Sequence, residues 1–323
     1  MPRSRVLVVD GRLRGQDGGL GVPEKSQYFY APVSDPVTSP VISDEPTQLA
    51  RAWSRLWRRK SAVFGLAVIV ALIVTAVFAQ LIAPYDPIKT NWGFVRKPES
   101  WLHWFGTDES GRDLLSRVIF GARASLLAGV VSVAIAVGMG VPVGLYTGVR
   151  GGWPDSLISR MTDAMLACPF LILAIALASF LGPSLTNAMI AIGITTTPVF
   201  VRLTRGQVLS VKAEDYVEAA RAVGNPWGRI AWRHILPNIL PALLVQATLS
   251  IAAAIIAEAS LSFLGLGQQP PTPSWGSMLN TAQRFLTNAP WMAVWPGLAI
   301  FVTVLSFNLF GDGLRDALDP KER

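Results

Sequence analysis

The chain has 323 residues, of which 51% are hydrophobic and only 15% charged, with a formal net charge of +7. Soluble domains carry about 25% charged residues; here the apolar residues run in long blocks, which excludes an ordinary soluble domain and points to a multi-span membrane protein. The basic excess lies beside those blocks, so it fits membrane topology and anionic lipid rather than nucleic acid.

Residues 1–46 are rich in Pro, Gly, Ser, Asp and Val without periodicity, and a disordered cytoplasmic tail is expected. Val6–Val9 is too short for the apolar core of a signal peptide, so insertion is expected to begin at the first span. In Thr47–Lys60, Leu49, Trp53, Leu56 and Trp57 share a face opposite Arg51, Arg55, Arg58, Arg59 and Lys60. This reads either as an amphipathic helix at the cytoplasmic interface or as a plain positive flank. Ala62–Ile82 is uncharged over 21 residues. At 1.5 Å per residue it covers roughly 30 Å, the hydrocarbon thickness. The basic cluster before it and Asp86 after it place its N-terminal end inside.

Pro84–Arg123 is polar and is expected outside. Asp108 is placed to cap the following helix, and Arg112 and Asp113 to pair. No nucleophile or metal ligand accompanies these carboxylates, so catalysis is not expected. Ala124–Thr147 is the second span, with Gly140, Gly144 and Gly148 spaced for tight helix contact, internal by preference, and Pro142 as a kink. Val149–Asp163 is read as a cytoplasmic loop. Ala164–Leu181 and Leu185–Val201 form a hairpin of spans three and four joined by Gly182-Pro183-Ser184. Cys168, the only cysteine, lies in an apolar run and reads as a small core residue. Thr195–Thr197 and Pro198 make the fourth span less apolar, which suits a polar cavity or a broken helix.

Glu214–Asn238 is a charged stretch between apolar blocks and reads as a helix–turn–helix. Glu214 and Asp215 open the first helix at its positive end. Tyr216, Ala219, Ala220 and Val223 form one small apolar face. Gly224 follows the last periodic residue, the place for a left-handed stop. Asn225 then reads as an N-cap and Pro226 as the first residue of the second helix. Trp227, Ile230 and Ala231 continue its apolar face, and Pro237 ends it. Ile239–Leu266 is the fifth span, with Glu258 inside it. A carboxylate there must face the bundle interior or water; it lines a path or hydrogen-bonds neighbouring helices. Gln268–Pro290 is an outer loop. Trp291–Phe310 is the sixth span, anchored by Trp291 and Trp295, and Gly311–Arg323 a short cytoplasmic tail. On this path 16 Lys and Arg lie on the inner side and seven outside.

Two blocks carry a family resemblance. Glu218-Ala219-Ala220, then Gly224, then His234-Ile235-Leu236-Pro237, resembles the EAA loop of the permeases of bacterial binding-protein-dependent ABC importers. Gly106-Thr107-Asp108, Gly111-Arg112-Asp113 and Ser116-Arg117, together with the block Glu258–Gly267, look like the C-type permease of dipeptide and oligopeptide importers, and the likeness runs from about residue 50 to the end. It implies an all-α fold of six transmembrane helices with a cytoplasmic coupling helix–turn–helix. The divisions expected are the tail 1–46, a segment 47–121 with the interfacial helix, first span and outer loop, a permease domain 122–315 with its coupling loop at 212–238, and a tail 316–323. It also implies coupling to an ATPase through Glu218, Ala219, Ala220, Gly224, Leu236 and Pro237, with Glu258 on a translocation path or gate. The implied partners are a homologous second permease, two ABC ATPase subunits, an extracytoplasmic peptide-binding protein and the bilayer of a bacterial plasma membrane. None of the six lysines follows a glycine, so the chain lacks a phosphate-binding loop; it is not itself expected to be an enzyme, and ATP and Mg belong to the partner subunits. His103 and His234 are far apart, so no metal site is expected. Import of nickel or another small solute would look much the same. An ion-coupled secondary transporter would show internal repeats and midplane ion sites, and neither is evident; a purely structural membrane protein is disfavoured by the coupling loop.

Overall fold

The computed structural model describes residues 54–318. The tails 1–46 and 319–323 and the first half of the interfacial helix lie outside those residues. Ser54–Arg58 is helical, with Leu56 buried against Ala317 and Trp57 exposed. The first span is α1 (Lys60–Val77), followed by a short turn of helix, α2 (Ala79–Ile82). Next come α3 (Leu114–Arg150), α4 (Gly152–Ala167), α5 (Phe170–Leu181) and α6 (Leu185–Lys212). The inner hairpin is α7 (Asp215–Ala222) and α8 (Trp227–Ile230), and the rest is α9 (Leu236–Phe263), α10 (Trp275–Ala282) and α11 (Trp291–Leu318).

Among the described residues, α1, α3, the continuous run Trp227–Phe263 and α11 are long and apolar enough to cross a membrane. The predicted third span differs from expectation. It is two helices, α4 and α5, meeting at 94°. The break falls at Cys168 and Pro169, whose backbones are extended or nearly so; Pro169 cannot donate to the preceding turn, and the residue before a proline is pushed out of helix. The region read as the loop Val149–Asp163 is therefore mostly helix α4. The helix predicted as the fourth span is unbroken, α6 running through Pro198, but it is not among those apolar enough to cross a membrane by composition alone. Thr195, Thr196 and Thr197 donate to the carbonyls of Ala191, Ile192 and Gly193 at 2.7–2.8 Å. These back-bonds keep the hydroxyls satisfied without leaving the helix.

The main core lies between α3, α6 and α9. Gly140, Gly144 and Gly148 form the contact stripe of α3 on α6. A Cβ on Gly144 would sit 2.6 Å from the Val201 carbonyl, and on Gly140 2.6 Å from the Phe200 Cβ. The small-residue spacing thus serves packing within the chain. A second apolar cluster joins α1, α3, α9, α11 and Trp275. Gly311 does not begin a tail: α11 continues through it to Leu318, and Asp316 forms an ion pair with Arg59.

The outer loop has little regular structure but a tight polar interior. Asp113, not Asp108, caps α3: its Oδ2 accepts the Ser116 amide at 2.8 Å and the Ser116 hydroxyl at 2.7 Å, while Oδ1 lies 2.9 Å from His103 Nδ1. Arg112 pairs with Asp108 and Glu109 instead of Asp113. Arg117 reaches Asp108 at 3.3 Å and donates to the Pro87 carbonyl at 2.8 Å. Burial lowers the Arg117 guanidinium to about 10, helped by neighbouring Arg112.

Candidate functional site

The inner hairpin begins with two acids in the first turn of α7, Asp215 and Glu218, which suit a helix N-terminus. α7 closes in a paired motif: the Gly224 amide donates to the Arg221 carbonyl at 2.9 Å and the Asn225 amide to the Ala220 carbonyl at 3.3 Å. This is a Schellman stop, and it requires the left-handed φ of +89° found at Gly224. Asn225 does not cap α8. Its side-chain amide donates back to the Ala220 carbonyl at 3.1 Å, and Pro226 holds the N-cap position with α8 starting at Trp227. The pyrrolidine nitrogen has no hydrogen to satisfy there.

Val217, Ile230, Ala231 and Ile235 are buried and tie the hairpin to the main core. Trp227 sits under two cations, Lys212 Nζ at 4.8 Å and the Arg221 guanidinium at 5.1 Å from its ring centre. The face read as apolar at Tyr216, Ala219 and Val223 turns outward, with Val223 84% exposed. Glu218 is exposed beside it, Ala220 is half-buried, and Gly224 is exposed with nothing within 4 Å of an added Cβ. Beside the hairpin, Asp155 of α4 binds Arg205 through two hydrogen bonds, at 2.5 and 2.8 Å. Burial raises the Tyr216 hydroxyl, with Glu214 adding to it.

Pro237 does not end a helix. The chain passes from α8 through a π-helical turn, Ala231–Ile235, directly into α9. Pro237 and Pro241 each remove one amide from the ladder, and a wider turn is one way a helix absorbs such a loss. The Asn238 side chain satisfies the His234 carbonyl at 2.7 Å. Leu236 is half-buried and Pro237 exposed at this joint.

The α4–α5 elbow, α6 and α9 line an open cavity of about 470 Å³. Its polar lining is Thr195, Thr196, Gln246 and Ser250, and the broken backbone at Cys168 and Pro169 forms one wall. Irregular backbone at membrane depth is tolerated where it lines a cavity. The proline at 169 was the sequence signal for this elbow.

Glu258 lies elsewhere. It is fully buried in the last turns of α9 and does not line the cavity. Its carboxylate accepts the Ser125 hydroxyl of α3 at 3.0 Å and the Ser262 hydroxyl at 2.7 Å. Ser262 in turn accepts the Gln268 amide at 3.1 Å. The start of α10 rests on the same spot, where a Cβ on Gly276 would meet the Ala259 carbonyl at 2.3 Å. Trp275 pins α10 to α3 by donating to the Val118 carbonyl at 3.0 Å. Glu258 thus joins α3 to α9 and, through Ser262, to the segment that follows α9 at Gln268. Of the residues singled out from sequence, those from Glu218 to Pro237 fall on the hairpin and its joint, at the opposite end of α9 from Glu258.

Residues 140–323 match the family described as the binding-protein-dependent transport system inner membrane component, and residues 47–98 match the N-terminal TM domain of oligopeptide transport permease C. The dipeptide transport system permease protein DppC of Alkalihalophilus pseudofirmus is 46% identical over 92% of this chain and 99% of its own length. The di/tripeptide transport system permease protein DppC of Pseudomonas aeruginosa is 46% identical over 90% and 96%. The glutathione transport system permease protein GsiD of Escherichia coli is 46% identical over 86% and 93%. A chain of the MetNI methionine ABC transporter, solved in an inward-facing conformation, superposes with a TM-score of 0.53 at 21% identity, covering 64% of this chain and 98% of that one. At that identity the likeness speaks for the fold alone.

Proposed function

The chain belongs to the family of binding-protein-dependent transport system inner membrane components, and from that premise we propose that it is the permease subunit of an ATP-driven importer of di- and oligopeptides. Curated relatives that match most of its length carry dipeptide, di/tripeptide and glutathione transport names, and these supply the cargo class. A second, homologous permease completes the path, and the exposed apolar side of α5, with Phe180 86% exposed, is a face suited to it or to lipid. Two ATPase subunits bind ATP and Mg, and an extracytoplasmic peptide-binding protein delivers cargo to the outer loops. Six spans, with the α4–α5 pair and α6 as the third and fourth, put both ends in the cytoplasm.

One observation carries the coupling role: the hairpin is anchored by Val217 and Ile230 on one side and open at Tyr216, Glu218, Ala219 and Val223 on the other. A surface loop that needed no partner would not hold an apolar row outward on a fixed frame. Closure of the ATPases moves this face, the joint at Leu236 and Pro237 passes the motion to α9, and the cavity beside the elbow changes its access. Glu258 holds the outer end together during that motion.

The test has two arms. Cysteines at Ser100 and Thr272 are expected to label from outside, and those at Ser156 and Ser210 only from inside. Outside labelling at Ser210 defeats the coupling role. Glu218→Lys is expected to abolish most peptide uptake and ATPase retention while membrane levels stay near normal. Normal uptake with the ATPase still bound would reduce the hairpin to a connector.

A further inference from the structure

A second groove, of about 470 Å³, runs between the last turns of α3 and the start of the rod formed by α8 and α9. Pro142, Tyr146 and Arg150 form one wall, and Trp227 and Trp232 the other. The groove is graded along its length. Pro142 lies two turns deeper into the span than Arg150, about 12 Å by helical rise. The deep end is therefore apolar, the middle carries aromatic side chains, and the shallow end carries a cation. Tyr146 is 48% and Trp232 66% exposed, at the depth where amphipathic rings mark the edge of a bilayer. The Arg150 guanidinium lies 5.9 Å from the Tyr146 ring centre, and among the described residues it makes no ion pair. Lys212 adds a second positive charge behind it, donating to the Val149 carbonyl at 2.8 Å.

We propose that this groove holds one anionic phospholipid, with an acyl chain against Pro142 and Tyr146 and its phosphate on Arg150. The order of apolar, aromatic and cationic groups along the groove matches the order of groups along such a lipid. A cytosolic protein arriving from below meets the tip of the hairpin at Val223 and Gly224 first, whereas the groove reaches up α3 as far as Pro142. The lipid bridges α3 and the root of the hairpin, so the inference ties the working of this joint to the anionic lipid content of the membrane. It rests on the membrane placement and the inner position of this end, and not on the cargo.

The experiment is native mass spectrometry of the intact transporter complex, titrated with phosphatidylglycerol or phosphatidylcholine of the same acyl chains, with peptide uptake measured separately in vesicles. The native chain is expected to retain phosphatidylglycerol in preference to phosphatidylcholine. Arg150→Gln is expected to lower that retention on the order of fivefold, the effect of one basic residue at an anionic surface. Arg150→Lys should keep most of it, Trp232→Ala should weaken both lipids, and Arg315→Gln, remote from the groove, should change neither. Equal retention of the two lipids by the native chain overturns the proposal, and so does retention indifferent to Arg150→Gln. If Arg150→Gln instead strips the ATPase subunits and leaves lipid retention unchanged, the groove is a protein interface and the lipid assignment is wrong. Loss of peptide uptake by the native complex, with lipid preference intact, would bear on the cargo alone.

Discussion

Residues 84–113 close over their own polar interior, whereas residues 214–235 leave most of their side chains exposed. The outer loop buries Asp108 and Asp113 at 3% exposure each and gives both carboxylates partners within the chain. The inner hairpin has few such bonds. It is held by apolar anchors, a glycine stop and two cations on one tryptophan. Buried charges need complete pairing to be tolerated, so the outer loop is finished on its own. The hairpin instead keeps Tyr216, Ala219 and Val223 exposed along one side. The two loops thus differ in how they are held: one by charges paired within the chain, the other by an apolar underside beneath an open face.

The comparison is broken first at Asp113. Asp113→Ala removes a helix cap and the partner of a buried histidine, and should cost about 3 kcal/mol. Thermal unfolding of the purified chain in detergent is the measurement, and an unchanged midpoint would mean the outer loop is not self-supporting. Gly224→Val comes next. With no atom near the new Cβ, its cost is conformational, about 1–2 kcal/mol. Membrane levels should stay near normal while peptide uptake falls sharply, and Gly224→Asn should recover much of it, because Asn tolerates the left-handed region. Equal loss in both variants would shift the cause from backbone to bulk.

Glu258→Gln should have a smaller effect, within about the 0.5–1.5 kcal/mol of one hydrogen bond. The amide keeps the shape that joins Ser125 and Ser262, so uptake should survive; an assembled but inactive complex would reveal that the charge itself is needed. The smallest effect belongs to Asp155→Asn. Its side chain is 15% and that of Arg205 35% exposed, so solvent screening holds the loss to under about 1 kcal/mol at neutral pH. Thermal unfolding of the native chain and the variant in detergent is the measurement, and a loss well above that figure would mean the pair is more than a surface contact.

Much of this was legible in the residues themselves. The apolar runs mark α1, α3, α9 and α11 because length and lack of charge suffice for a span, and Gly224 announces its turn because only a helix stop needs it there. Prolines were harder. Pro169 breaks a helix, Pro198 sits within one, and Pro237 lies beyond a π turn in a continuous rod; the difference comes from neighbours, such as the threonine back-bonds on α6 and Asn238 at the joint, that no local pattern weighs. The outer caps were mistaken for the same reason. Asp108 and Asp113 are equivalent acids in sequence, and only the folded loop, with His103 brought beside Asp113, decides which one faces the helix end. The place of Glu258 was likewise set by α10, which contacts it from across an irregular segment.

The unbroken passage from hairpin to α9 has a mechanical meaning. α9 has 28 residues and so measures about 42 Å. A rod of that length pivoting at its inner joint turns a tilt of about 5° into a sideways travel of about 4 Å at its far end. Near the far end Glu258 accepts the Ser125 hydroxyl of α3, and the cavity lies part-way along the arm. The rod is in this sense geared: a small tilt at the joint would become a displacement at its far end about as large as the spacing between two packed side chains, with no slack loop between hairpin and α9 to absorb it.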